Sequence, residues 1–116
     1  MDNRRQHTRY AVAVAAELEA AGETLEAETR DVSEGGVAVL LSEPVEEGSK
    51  VGLTLILTQD GIEDPNEDPY QCEASVMWAA PQDDGRMLIG LRYVAPKPQE
   101  LQRLRRFLAA VSESAR

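Results

Sequence analysis

From Tyr10 the chain alternates, with Val12, Val14, Ala16 and Leu18 on one side and Ala11, Ala13, Ala15, Glu17 and Glu19 on the other. That period of two predicts a half-buried strand. Ala21-Gly22-Glu23 is turn chemistry, and beyond it Leu25, Ala27 and Thr29 run opposite Glu26, Glu28 and Arg30 as a second strand ending at Asp31. The two strands make a hairpin. Gly35 and Gly36 break the pattern, and Val37-Ala38-Val39-Leu40-Leu41 follows as a short apolar run before Pro44. Flanked by such breakers, it predicts a buried strand and not a helix. Pro44 to Lys50 is a polar turn, after which Val51, Leu53, Leu55 and Leu57 alternate up to Thr58.

Gln59 to Pro69 holds Gly61, Pro65 and Pro69 among the acids Asp60, Glu63, Asp64, Glu67 and Asp68. It has no face to bury and predicts a loop. Tyr70, Cys72, Ala74, Val76 and Trp78 then fall on one side of a strand, and Pro81 to Gly85 turns it into a last strand over Met87–Val94. After Pro96 and Pro98 the period changes: Leu101, Leu104, Leu108 and Val111 recur at helical spacing, Phe107 widens the stripe, and Gln102, Arg103, Arg105 and Arg106 turn away. Six strands followed by one amphipathic helix, about 98–112, predict an all-β fold, a small antiparallel barrel whose open end the helix covers.

Length and composition narrow this further. A chain of 116 residues builds one core and not two, so residues 10–116 are read as one domain behind a flexible basic arm, 1–9. With 42% hydrophobic and 28% charged residues the composition is that of a soluble globular protein. No apolar run is long enough to span a bilayer, and the start leads into no signal-peptide core, so a cytoplasmic location is expected. A lone Cys72 makes no internal disulfide, consistent with that compartment. The formal charge of −9 argues against duplex nucleic acid and anionic membranes as partners. Arg4, Arg5, His7 and Arg9 nevertheless form a local basic island, able to catch a small anion against the repulsive background.

That island and Asp31-Val32-Ser33-Glu34-Gly35-Gly36 hold the residue types suited to a phosphorylated guanine compound. An arginine fork pairs two-point with a phosphate or with the O6/N7 edge of guanine, and its plane stacks on the base. Asp31 and Ser33 offer acceptors for the base's N–H groups, while Gly35 and Gly36 allow close backbone approach or a positive φ. Taken singly, the arginines also read as a solvated chain end, and Asp31 and Ser33 as an Asx or Ser turn. His7, the sole histidine, has no partners for a triad or metal site. Cys72 reads as a small core residue and Trp78 as core or barrel rim. The acidic loop lacks the ligand order of an EF-hand. No paired acid and base, phosphate-binding helix motif or metal cluster is present, so no enzyme activity is expected and no cofactor.

Arg5-Gln6-His7-Thr8-Arg9 reads as RxxxR and the stretch from Asp31 to Gly36 as DxSxxG, in that order and one hairpin apart. In this the chain resembles the PilZ domain family, and Gly90-Leu91-Arg92-Tyr93 is similar to the glycine-containing last strand of that family. The resemblance runs from Arg4 to about Leu108 and implies a six-stranded split barrel with a C-terminal helix. It implies cyclic di-GMP as ligand. Arg5 and Arg9 would grip the dinucleotide by phosphate contact, guanine-edge hydrogen bonds and stacking. Arg4 would add a further contact and influence stoichiometry, Asp31 and Ser33 would read a guanine, and Gly36, with Gly35 beside it, would give clearance. Closure of the arm would then change the surface offered to an unidentified effector protein, from a monomer or weak dimer. The alternative is a PilZ-like adaptor that binds protein and no nucleotide.

Overall fold

The alternation closes on itself in the computed structural model of the chain, which describes residues 8–57 and 69–114. Among the described residues the strands are β1 (Ala15–Ala20), β2 (Glu23–Val32), β3 (Gly36–Leu41), β4 (Lys50–Leu55), β5 (Tyr70–Pro81) and β6 (Met87–Val94), followed by helix α1 (Pro98–Ser114). Every neighbouring pair is antiparallel, in the order β1-β2-β3-β6-β5-β4, and β4 pairs back onto β1. The all-β barrel with one C-terminal helix is therefore the observed architecture, and no sheet edge is left open along β1. Ala21 and Gly22, at φ 53° and 81°, make the two-residue mirror-image turn whose twist suits the β1–β2 hairpin.

The interior is filled from all six strands by Leu18, Val32, Val39, Leu53, Val76 and Ile89, all essentially without solvent exposure. Each such side chain contributes about 1.5–3 kcal/mol by leaving water. β3 is buried along its whole length, as its unbroken apolar run predicts. Tyr70 and Tyr93 meet edge-to-face inside the barrel, with ring centroids 5.3 Å apart.

The register puts the starts of β1, β3 and β5 and the ends of β2, β4 and β6 at one end of the barrel. α1 lies there. Its apolar stripe, Leu104, Phe107 and Leu108, joins the core. The carboxylate of Glu100 in its first turn accepts the Gln71 N–H at 2.7 Å and pairs with Arg103, whose guanidinium reaches the Pro69 carbonyl. No helix among the described residues is long and apolar enough to cross a membrane.

Three expectations need correction. The first strand ladder begins at Ala15, not Tyr10, because a buried side chain takes over the backbone groups before it: the Thr29 hydroxyl accepts the Val14 N–H at 2.9 Å and donates to the Val12 carbonyl at 2.6 Å. Val12 and Val14 still face inward, and Tyr10 pairs singly with Val32 through two backbone hydrogen bonds of 2.9 Å. Trp78 does not share a side with Val76, since a bulge at Met77 shifts the register and turns the indole outward. The fourth strand also stops earlier than predicted, at Leu55, and the acidic stretch 58–68 lies outside the described residues.

Thr29→Val keeps shape and removes both bonds, leaving the buried Val14 N–H without an acceptor. The expected cost is about 1–3 kcal/mol, seen as a lower denaturation midpoint at unchanged m-value in urea titrations.

Candidate functional site

Two bulges define an outer surface row. In β2, Leu25, Ala27 and Thr29 face inward, so strict alternation would bury Asp31 as well. The register shift at Arg30 instead pairs Asp31 with outward Ala38 and returns Val32 to the core opposite Val37. In β5 the Met77 bulge does the same for Trp78, which pairs with Gly90, itself paired with Ala38. Asp31, Ala38, Gly90 and Trp78 thus lie side by side across β2, β3, β6 and β5. The neighbouring row, Gly36, Arg92 and Ser75, runs beside it.

The indole does not stand at its own strand position. A Cβ on Gly90 would lie 2.3 Å from both Cε2 and Nε1 of Trp78, so the ring rests directly on the Gly90 backbone. Only glycine leaves room for it. The ring therefore reaches one strand toward Asp31, leaving two strand spacings between them, roughly 10 Å. Trp78 keeps 40% exposure there.

Asp31 meets the N-terminal segment. The Arg9 guanidinium donates to its carboxylate at 2.7 Å, with side-chain exposures of 41% and 26% for Arg9 and Asp31. The sequence-predicted arm and loop motifs are brought together by this pair, because the Tyr10–Val32 bridge holds the chain just past Arg9 against the end of β2. Arg4, Arg5 and His7 lie outside the described residues.

Ser33 is placed differently from a surface acceptor. It is 3% exposed, and its hydroxyl accepts the N–H groups of Gly35 and Gly36 at 3.2 and 3.1 Å while donating to the Gly36 carbonyl at 3.1 Å. Its own N–H reaches the same carbonyl at 2.8 Å. This is the Ser turn that the residue types allow. Gly36 is required by packing between strands, since a Cβ there would meet the Leu91 carbonyl oxygen at 2.3 Å. Gly35 contributes its carbonyl to the Tyr93 N–H at 3.2 Å.

Tyr93 completes the knot. Its buried phenol donates to the carbonyls of Ser33 and Gly36 at 3.0 and 3.1 Å. Burial pushes its pKa well above the ordinary tyrosine value, so it remains a neutral donor. Glu34, at the tip of the turn, accepts Arg105 Nε at 2.9 Å and links the loop to α1. Both acids of the DxSxxG stretch are thus already paired with arginine. Exposed Arg92 has no hydrogen-bond or ion-pair partner among the described residues, and it leaves the row with a free cation.

Arg92 and the Glu34–Arg105 link carry no site signal in the sequence, and Trp78 reads there as core or barrel rim. Alternation against Ile89, Leu91 and Tyr93 places Arg92 outward, but its pairing with Gly36 is a register fact that no local pattern carries. Among the described residues no group of metal-ligating side chains gathers. Cys72 is half-buried, and burial pushes its thiol up, away from the reactive thiolate.

A family model described as PilZ domain matches residues 3–110. Among solved structures, the PilZ domain with c-di-GMP of YcgR from Escherichia coli superposes with a TM-score of 0.78 at 17% identity, covering 98% of this chain and 95% of that one. The Bacillus subtilis inhibitor of motility, MotI/DgrA, gives 0.77 at 18% identity over 98% of this chain. The match spans only 52% of that chain. The crystal structure of YcgR in complex with c-di-GMP gives 0.76 at 19%, over 97% of this chain and 47% of that one. No curated protein sequence matches.

The buried tyrosines impose an alkaline limit. Above about pH 10 an unfolded tyrosine loses its proton while Tyr93 keeps it, so the unfolded chain binds fewer protons and stability falls as pH rises, by about 1.4 kcal/mol per pH unit for each such group. The stability is complete below that range and is lost toward the raised folded value. Tyr70, also pushed up by burial, adds to the slope. Urea titrations from pH 8 to 11 should show this fall, and Tyr93→Phe should make it shallower.

Proposed function

The chain belongs to the PilZ domain family, and from that premise we propose that it is a receptor module for cyclic di-GMP that signals through a protein partner and catalyses no reaction. The observation that carries the reading is the Arg9–Asp31 pair on the outer face, with Arg92 and the exposed Trp78 on the same few strands. Two solved PilZ structures of similar fold were obtained with c-di-GMP.

The chemistry follows from what each group is able to exchange. Guanine presents N–H donors to an acceptor and an O6/N7 edge to an arginine fork. Asp31, released from Arg9, accepts the N–H groups; Arg9, released from Asp31, turns its fork to O6/N7 or to a phosphate. Each group exchanges the other for hydrogen-bonding groups of the ligand, Asp31 for the guanine N–H donors and Arg9 for the O6/N7 edge or a phosphate, so neither is left unpaired. Arg4 and Arg5, upstream of Arg9, contribute further phosphate or stacking contacts, and Arg92 faces the ligand from β6. The open indole of Trp78 offers a base a stacking surface. Ser33, Gly35 and Gly36 act by holding the loop that carries Asp31's neighbours, with the serine hydroxyl directed into the turn.

The Tyr10–Val32 bridge confines the rearrangement to residues before Tyr10, so ligand binding changes the surface of the arm while the barrel stays as it is. That changed surface is what a partner protein reads.

Calorimetric titration with cyclic di-GMP at near-physiological salt, beside GTP and cyclic di-AMP, tests the reading. Selective binding is expected, weakened about 10- to 100-fold in Arg9→Ala and in Asp31→Asn, for the loss of one charge-assisted contact. Absence of binding by calorimetry and by equilibrium dialysis overturns it and leaves a nucleotide-independent adaptor.

A further inference from the structure

β5 is longer than the strand beside it. Its pairing with β4 ends at Lys50 and Ser75, while β5 itself continues to Pro81. Beyond Ser75 the side turned away from β6 has no strand partner, and this is the stretch that contains the Met77 bulge and Trp78. The loop between β3 and β4 fills the place. Gly48 N–H donates to the Val76 carbonyl at 2.8 Å and Val76 N–H to the Ser49 carbonyl at 2.9 Å. Past the bulge the Ala79 N–H donates to the Glu47 carboxylate, Oε2, at 3.1 Å. The loop is itself braced, since the Ser49 hydroxyl donates to the Glu46 carbonyl at 2.6 Å.

The geometry points to Glu47 as a positioning residue for the ligand face: its carboxylate fixes the backbone just after the bulge and so holds Trp78 outward on Gly90. What the indole then does rests on the receptor reading, whereas its position rests on geometry alone. A strand without the bulge would place Met77 outside and Trp78 inside, by the period of two. The bulge is kept only if the groups it displaces find partners. Val76 finds them in the loop backbone, and Ala79 finds one in a side chain. Glu47 is therefore the member of the bracket that substitution is able to remove without altering the main chain.

The protein has a single tryptophan, so its fluorescence reports this position directly. The test compares wild type, Glu47→Ala, Glu47→Gln and Glu46→Ala, first without ligand and then with cyclic di-GMP. In Glu47→Ala the emission maximum moves and acrylamide quenching changes, and affinity falls about three- to tenfold, less than for loss of a direct ligand contact because Glu47 acts only through the position of the indole. Glu47→Gln, whose amide oxygen still accepts the Ala79 N–H, restores both, and Glu46→Ala changes neither. An emission spectrum and quenching in Glu47→Ala identical to wild type overturn the positioning role, whatever the ligand does. If the wild type binds no cyclic di-GMP, the receptor reading falls, and the ligand-free spectra alone decide whether Glu47 sets the indole.

Discussion

The hydrogen bonds that converge on Ser33, Gly36 and Tyr93 tie three strands together at the end of the barrel where the site is built. The phenol of Tyr93 on β6 spans two carbonyls of the β2–β3 turn, and the serine hydroxyl closes that turn from inside. The arrangement demands that β3 and β6 come very close, and at Gly36 the distance admits no side chain at all. Because the phenol is buried and neutral at ordinary pH, the bonds are shielded from competing water. The positions of Asp31, two residues before the turn, and Arg92, one residue before Tyr93, follow from this knot without further adjustment.

The second constraint is parity. A strand alternates strictly, and a residue that period would bury appears outside only if an extra residue intervenes. The barrel uses this twice, at Arg30 in β2 and at Met77 in β5, and each shift exposes a residue of the candidate site while returning the next apolar side chain, Val32 or Ala79, to the inner face. The core loses nothing from either bulge. A side chain is bonded to backbone beside each: next to the first bulge the Thr29 hydroxyl holds the segment before β1, and past the second Glu47 accepts the Ala79 N–H.

This explains what was legible in the chain and what was not. The strand runs, the breakers between them and the helical stripe of Leu104 and Leu108 are local patterns, and they place the elements to within a few residues. The DxSxxG stretch was legible as a motif, although its serine works inside the turn and its last glycine serves strand packing. Bulges leave no such trace. Met77-Trp78 reads as ordinary alternation because both orientations suit a methionine and a tryptophan, and the choice is made by Gly90 and Glu47, which are distant in sequence. Arg92 stood in plain alternation, but its pairing with Gly36 depends on the β3–β6 register, which the closed barrel determines.

The groups that hold the fold and the groups proposed to hold the ligand are different sets, and the difference is one of exposure. Thr29, Ser33 and Tyr93 are buried, so each bond they make is shielded and its loss strands a polar group. Arg9 and Asp31 are part-exposed, and a pair of that kind contributes only about 0.2–1 kcal/mol to stability. Breaking it costs the barrel little, since Tyr10 and Val32 still hold the chain by backbone alone. The ion pair is therefore well suited to exchange: it keeps the carboxylate and the guanidinium at the rim of the Trp78 row, where the proposed ligand would offer each another partner. The barrel supplies the rigidity that recognition needs, and the weakness of the exposed pair lets Arg9 and Asp31 exchange partners at little cost to the fold.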